Sequence, residues 1–240
     1  MVTMVAPVGE IGSDEFERVT DVTYLGTVWG TMAALKRMRP RNRGTIVQVG
    51  SALAYRSIPL QSAYCGAKHA VRGFTESLRT ELLHAGSQVQ VTLVELPGVN
   101  TPQFDWCRTS LDKSPQPVGT VYQPEVIAQA IVWAAQAGRR EVYPTFASAL
   151  AIWGDKLAPG LLDQYLSHAA WEGQQSSDAV RSDRPDNLFQ PVAARAAARG
   201  RFDAIARSRS ASLWVNQNRT PLLLGALAML ALGWGTGGRR

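Results

Sequence analysis

Apolar positions along the chain change rhythm several times, and each change predicts an element. From Ile11 to Arg39, Phe16, Val19, Thr23, Val28, Met32 and Leu35 follow a helical stripe, with Asp14 and Glu17 as a capping pair at its start. Pro40 and the Arg41–Gly44 cluster stop that helix. Thr45 to Gly50 is short and β-branched, as a buried parallel strand should be. Gln61 to Ala85 reads as a second helix and Val89 to Leu96 as a second strand. Pro97 to Tyr122 holds four prolines and reads as a long loop, a length usually reserved for lids. Pro124 opens a helix from Glu125 to Ala137. A short strand at Glu141 to Pro144 and a helix from Phe146 to Ala170 follow. Strands alternating with helices predict an α/β fold, a parallel sheet covered on both faces.

The character shifts near residue 171. Residues 171–220 are rich in Ser, Asp, Arg and Ala with weak periodicity, and read as an extended or disordered basic linker. Residues 221–240 contain an apolar run from Leu222 to Trp234. Its thirteen residues fall short of the roughly 20 that a membrane span needs. Flanking Arg219, Arg239 and Arg240, with Trp214 and Trp234 at its edges, still allow a weak membrane association through this tail.

Charge follows the same division. The net charge is +6, and ten of the twenty-one arginines lie beyond residue 180, so the first 170 residues are nearly neutral. The chain is therefore not read as a nucleic-acid binder. Cys65 and Cys107 read as free thiols, and His69, His84 and His168 have no partners at metal-ligand spacing, so no metal site is expected. No signal peptide is visible at the start, and the expected location is cytoplasmic, with membrane association through the tail as its variant.

The chemistry-bearing pair is Tyr64 and Lys68, four residues apart and so on one helix face. An ammonium beside a phenol is expected to lower a pKa that is otherwise about 10, making the tyrosine a usable acid/base. Ser51 lies at the end of the first strand, thirteen residues earlier, where ligands of open parallel sheets bind. The second strand ends in Pro97-Gly98, followed by Val99, Asn100 and Thr101.

With Ser51, the run Tyr64-Cys65-Gly66-Ala67-Lys68, the Pro97–Thr101 turn and Asp21–Gly26 in the first helix, residues 11 to about 145 resemble the short-chain dehydrogenase/reductase family. The resemblance implies a Rossmann-like doubly wound sheet and hydride transfer between NAD or NADP and a small-molecule carbonyl or alcohol. It implies that Tyr64 exchanges a proton with the substrate oxygen. Lys68 would tune Tyr64 and bind the nicotinamide ribose, and Ser51 would hold the reacting oxygen. Pro97, Gly98, Val99 and Thr101 would meet the nicotinamide carboxamide. Family members commonly pair through the Tyr64 helix and its neighbour, which implies a homodimer or homotetramer.

Three departures qualify the resemblance. Thr23 stands where the family usually has an asparagine that relays protons. Thr101 falls one residue earlier than usual after Pro97-Gly98. No glycine-rich phosphate motif precedes Ser51. The fold expected is thus an incomplete Rossmann-like sheet lacking its N-terminal βαβ units, with residues 1–170 as the catalytic portion of a shortened reading frame. Activity of such a chain would be absent or impaired. The alternative is a non-catalytic, membrane-tethered interaction protein derived from the family.

Overall fold

A computed structural model describes residues 1–193, 196–225, 227 and 229, with the side chains of 147, 148 and 151 outside the described set. β1 (Met4–Val5) leads through a short turn to α1 (Ser13–Thr20). Its capping differs from the Asp14–Glu17 expectation. The helix begins at Ser13, which makes Glu15 the third helical residue, and its carboxylate accepts the Gly12 N–H at 2.8 Å. One π-helical turn, Asp21–Leu25, joins α1 to α2 (Gly26–Met38).

The extra residue in that turn moves the buried line of the helix. Val19, Thr23 and Thr31 face inward, while Phe16, Trp29 and Met32 are exposed. Met32 therefore leaves the expected stripe. Thr27 Oγ donates to the Thr23 carbonyl and Thr31 Oγ to the Thr27 carbonyl, so the inward face is a ladder of hydroxyls. Thr31 Oγ in turn accepts from the buried Gln48 amide at 2.7 Å.

β2 (Gly44–Val49), β3 (Val89–Val94) and β8 (Glu141–Val142) form one parallel sheet in the order β2-β3-β8. Ile46 lies beside Val91, and Val47 beside Thr92. On one face Ile46, Val89 and Val91 meet Leu78 and Leu82 of α3 (Ser62–His84), with Leu35 and Met38 of α2. On the other face Val94 and Val142 meet Val126, Ile127, Ala130 and Ala134 of α5 (Pro124–Ala137). This is the α/β, doubly wound arrangement expected. Val91, Thr92, Leu93 and Val94 are all buried, so β3 is covered on both faces, whereas β2 leaves Val49 exposed.

Between β3 and α5 the expected loop is divided into β4 (Gly98–Val99), α4 (Gln103–Trp106), β5 (Arg108–Thr109), β6 (Lys113–Pro115) and β7 (Val121–Tyr122). β4 pairs with β7, and β5 with β1. The expected single helix after β8 is two, α6 (Phe146–Leu157) and α7 (Pro159–Gly173). Pro159 forces the break, because Ala158 ahead of it takes φ −148°, outside the helical region.

The segment expected as a linker is extended but packed. β9 (Gln175–Ala179) pairs antiparallel with β6. Arg184 donates to the carbonyls of Phe104, Asp105 and Cys107. Leu188 is fully buried beside Tyr64, and Asn100 Oδ1 accepts the Phe202 N–H. α8 (Ala211–Gln217) opens with Ser210 capping Leu213 N–H at 3.1 Å. Most of the Leu222–Trp234 run lies outside the described residues; among those described, no helix is long and apolar enough to cross a membrane.

Candidate active site

α3 begins one residue after Gln61 and carries Tyr64 and Lys68 on its buried face, at 8% and 5% exposure. Ser51 follows the end of β2 and is buried at 6%. Ser51 Oγ accepts the Leu53 N–H at 3.2 Å and stands beside the Tyr64 phenol. The Lys68 Nζ lies 5.7 Å from the Tyr64 ring centroid and donates to the Val49 carbonyl at 2.7 Å. Val2, Val19, Ala63 and Leu188 close the apolar wall around Tyr64. The three residues singled out from sequence therefore converge at the C-terminal end of β2.

Electrostatics in this cluster depart from expectation. Burial raises the Tyr64 phenol above its ordinary value, and the Ser51 hydroxyl pulls only partly the other way. The ammonium was expected to make the phenol more acidic; here desolvation wins. The same desolvation lowers Lys68 to about 8, opposed by the charge of Glu95. The Met1 ammonium shares this space, its pKa lowered by burial and by Lys68.

Thr23 sits inside the π turn, buried at 3%, and its hydroxyl donates to the Val2 carbonyl at 3.2 Å. Pro97 leaves β3 beside Ser51, where the Ala52 N–H donates to the Leu96 carbonyl at 3.1 Å. Gly98 and Val99 are held by the β7 pairing, and the Thr101 N–H donates to the Val99 carbonyl at 2.8 Å.

A family model described as short chain dehydrogenase matches residues 2–110. The uncharacterized oxidoreductase YxnA of Bacillus subtilis is 30% identical over 231 residues, which is 94% of this chain and 63% of that protein. Residues 2–110 belong to the short-chain dehydrogenase/reductase family. Dehydrogenase/reductase SDR family member 7B of Mus musculus is 30% identical over 69% of this chain and 52% of its own length. A solved short chain dehydrogenase from Burkholderia cenocepacia J2315, in complex with NADP, superposes with a TM-score of 0.56 at 25% identity. That match covers 69% of this chain and 65% of the other. The chain thus spans less than two thirds of the length of each of these relatives.

Other residues have their own places. Asp105 and Trp106 line a cavity of about 490 Å³ with Asp178, Arg181, Arg184 and Arg201. None of Ser51, Tyr64 or Lys68 lines it; Arg181 pairs with Asp183 there and Arg201 with Asp105. Among the described residues no cluster of His, Cys, Asp or Glu could hold a metal. Two buried polar residues were not anticipated. Asn100 Nδ2 donates to Gln123 and Asp203, tying the Pro97–Thr101 turn to the C-terminal segment. Glu95 is fully buried at the end of β3, and a charged residue inside Leu-Val-Glu-Leu was the signal that could have found it.

Proposed function

We propose that this chain carries the catalytic portion, residues 1–170, of an NAD(P)-dependent oxidoreductase acting on a carbonyl/alcohol pair. The observation that carries the reading is the convergence of Ser51, Tyr64 and Lys68 at the C-terminal end of β2. The NADP of the Burkholderia relative supports the cofactor. So does the donor set here, since the Lys68 ammonium and the Tyr64 hydroxyl suit a ribose diol. The fit concerns the nicotinamide end, with Pro97, Gly98, Val99 and Thr101 as the residues that would border it. A bound nicotinamide nucleotide supplies the hydride.

In this reading Ser51 Oγ holds the substrate carbonyl oxygen, and Tyr64 Oη gives that oxygen its proton as the alcohol forms. Burial keeps Tyr64 as the neutral phenol at neutral pH, the form that can donate. Lys68, held by the Val49 carbonyl, supplies positive charge against the phenolate left behind. Thr23 supports the reacting end only indirectly, because its hydroxyl proton is engaged with Val2.

Binding of NADPH and NADH by the purified chain, followed by turnover of a panel of aldehydes and ketones, tests the reading. Tyr64→Phe is expected to remove the turnover the chain retains and, because one hydrogen bond to the ribose goes with it, to weaken nucleotide binding by no more than about tenfold. Undiminished turnover in that variant, or no binding of either nucleotide to the wild-type chain, overturns it.

A further inference from the structure

β3 carries a carboxylate into the interior immediately after its last residue. Glu95 has 0% exposure, and its N–H donates to the Val142 carbonyl at 2.9 Å. Its side chain turns toward the end of β2, where a Cβ on Gly50 would stand 2.5 Å from Oε2. A side chain at position 50 would force the carboxyl to move from this corner. The Ser51 amide is near enough to favour the anion, yet neither carboxylate oxygen has a well-formed hydrogen bond. Buried carboxylates are normally paired or bonded, so an orphan of this kind calls for a role.

Lys68 is the complementary charge. It is buried, its ammonium is held by the carbonyl of Val49, the residue before Gly50, and Glu95 is the acid whose charge acts on it. Glu95 and Lys68 thus approach the same corner of β2 from opposite elements. On the Glu95 side stand Glu141 of β8, Arg72 of α3, and the phenols of Tyr55 and Tyr143, which both donate to Glu141. On the Lys68 side stand Tyr64 and the Met1 ammonium.

We propose that Glu95 is a positioning residue that sets the charge of Lys68, and through Lys68 the proton at Tyr64, from behind the Gly50–Ser51 corner. The consequence for catalysis rests on the oxidoreductase reading, whereas the Glu95–Lys68 coupling can be measured without it. Burial disfavours the charged form of each group, and each charge favours the other, so the two titrate as one coupled pair. Glu141 opposes the Glu95 anion and Arg72 supports it, so the pair is tuned from the β8 side as well.

The chain has only four lysines, Lys36, Lys68, Lys113 and Lys156, which makes a side-chain lysine NMR titration of the full chain tractable. The Lys68 signal is assigned by its loss in Lys68→Met and is expected to titrate near pH 8. In Glu95→Gln its midpoint should fall by about one pH unit, because the nearby anion is gone. Glu95→Asp should restore part of the shift. An identical Lys68 midpoint in wild type and Glu95→Gln overturns the proposal. If Glu95→Gln does not fold, the carboxyl carbon of Glu95 is followed in the wild-type chain and in Lys68→Met instead. A Glu95 midpoint that rises in Lys68→Met supports the coupling, because the nearby cation is gone, and one that does not move overturns it. A shifted Lys68 in a chain without nucleotide binding refutes the oxidoreductase reading alone. An unshifted Lys68 beside Tyr64-dependent turnover refutes this proposal alone.

Discussion

α3 and the α6–α7 hairpin both flank the loop between Ser51 and Gln61, but they are held in opposite ways. α3 lies against the sheet, with Ala63, Tyr64, Cys65, Ala67, Lys68 and Val71 all buried. The hairpin leaves Leu150, Leu157 and Leu161 at 75%, 82% and 70% exposure. What ties it to the loop is Arg56, whose guanidinium meets Asp155 of α6 at 2.8 Å and Asp163 of α7 at 2.5 Å. Amphipathic sequence is present in both, yet only the helix with a sheet to cover buries its apolar face. Helical pattern alone does not secure burial; a partner surface does.

The comparison breaks most sharply at Leu93, which is fully buried in β3. Leu93→Ala should cost about 2–5 kcal/mol of global stability, read as a lower urea midpoint with an unchanged slope. The next effect belongs to pH. Glu95 is raised from 4.5 to about 8 in the folded chain, so its contribution is present below pH 4.5 and is lost as pH rises to about 8. Lys68 is depressed from 10.5 to about 8, so its contribution is present above pH 10.5 and is lost as pH falls to about 8. Together they predict a local stability minimum near pH 8, with arms no steeper than ~1.4 kcal/mol per pH unit. Glu95→Gln should flatten the acid arm and Lys68→Met the alkaline one in unfolding measured across pH; parallel curves for wild type and both variants would disprove this.

Smaller still is Arg56→Ala. Its partners are part-exposed, so the loss should be about 1 kcal/mol. Hydrogen exchange should quicken in α6 and α7 while β2 and β3 keep their protection; uniform loss across the chain would contradict the tether. Leu157→Ala, at the exposed end of α6, should change stability by less than about 0.5 kcal/mol in the same melts.

Elements with a period were legible in the sequence. The strand read at Thr45–Gly50 is β2 at Gly44–Val49, and the helix read at Gln61–Ala85 is α3 at Ser62–His84. The site was legible for the same reason, since four-residue spacing on a helix fixes where Tyr64 and Lys68 stand. Strands of two or three residues, such as β4 to β7, carry no period and exist through distant pairing, so that stretch read as a loop. The packing of Arg184 and Leu188 was hidden likewise, because guanidinium-to-carbonyl bonds leave no trace in local composition. The sign of the Tyr64 shift was missed because spacing reports a neighbour's charge and says nothing of how dry the surroundings are.

The π turn at Asp21–Leu25 has a consequence for engineering and for insertions and deletions in related chains. Removing one residue from it would relax the backbone to an ordinary helix and look harmless in any propensity scale. It would also leave the downstream half facing as before, because five residues of the wider turn wind about as far as four of an ordinary helix. Thr31 would keep its partner Gln48, whereas a deletion between Gly26 and Thr31, where no wide turn absorbs it, would swing that hydroxyl by about 100° and carry the bulky Met32 inward. The wide turn thus works as a spacer that tolerates a lost codon, and the turns beside it do not.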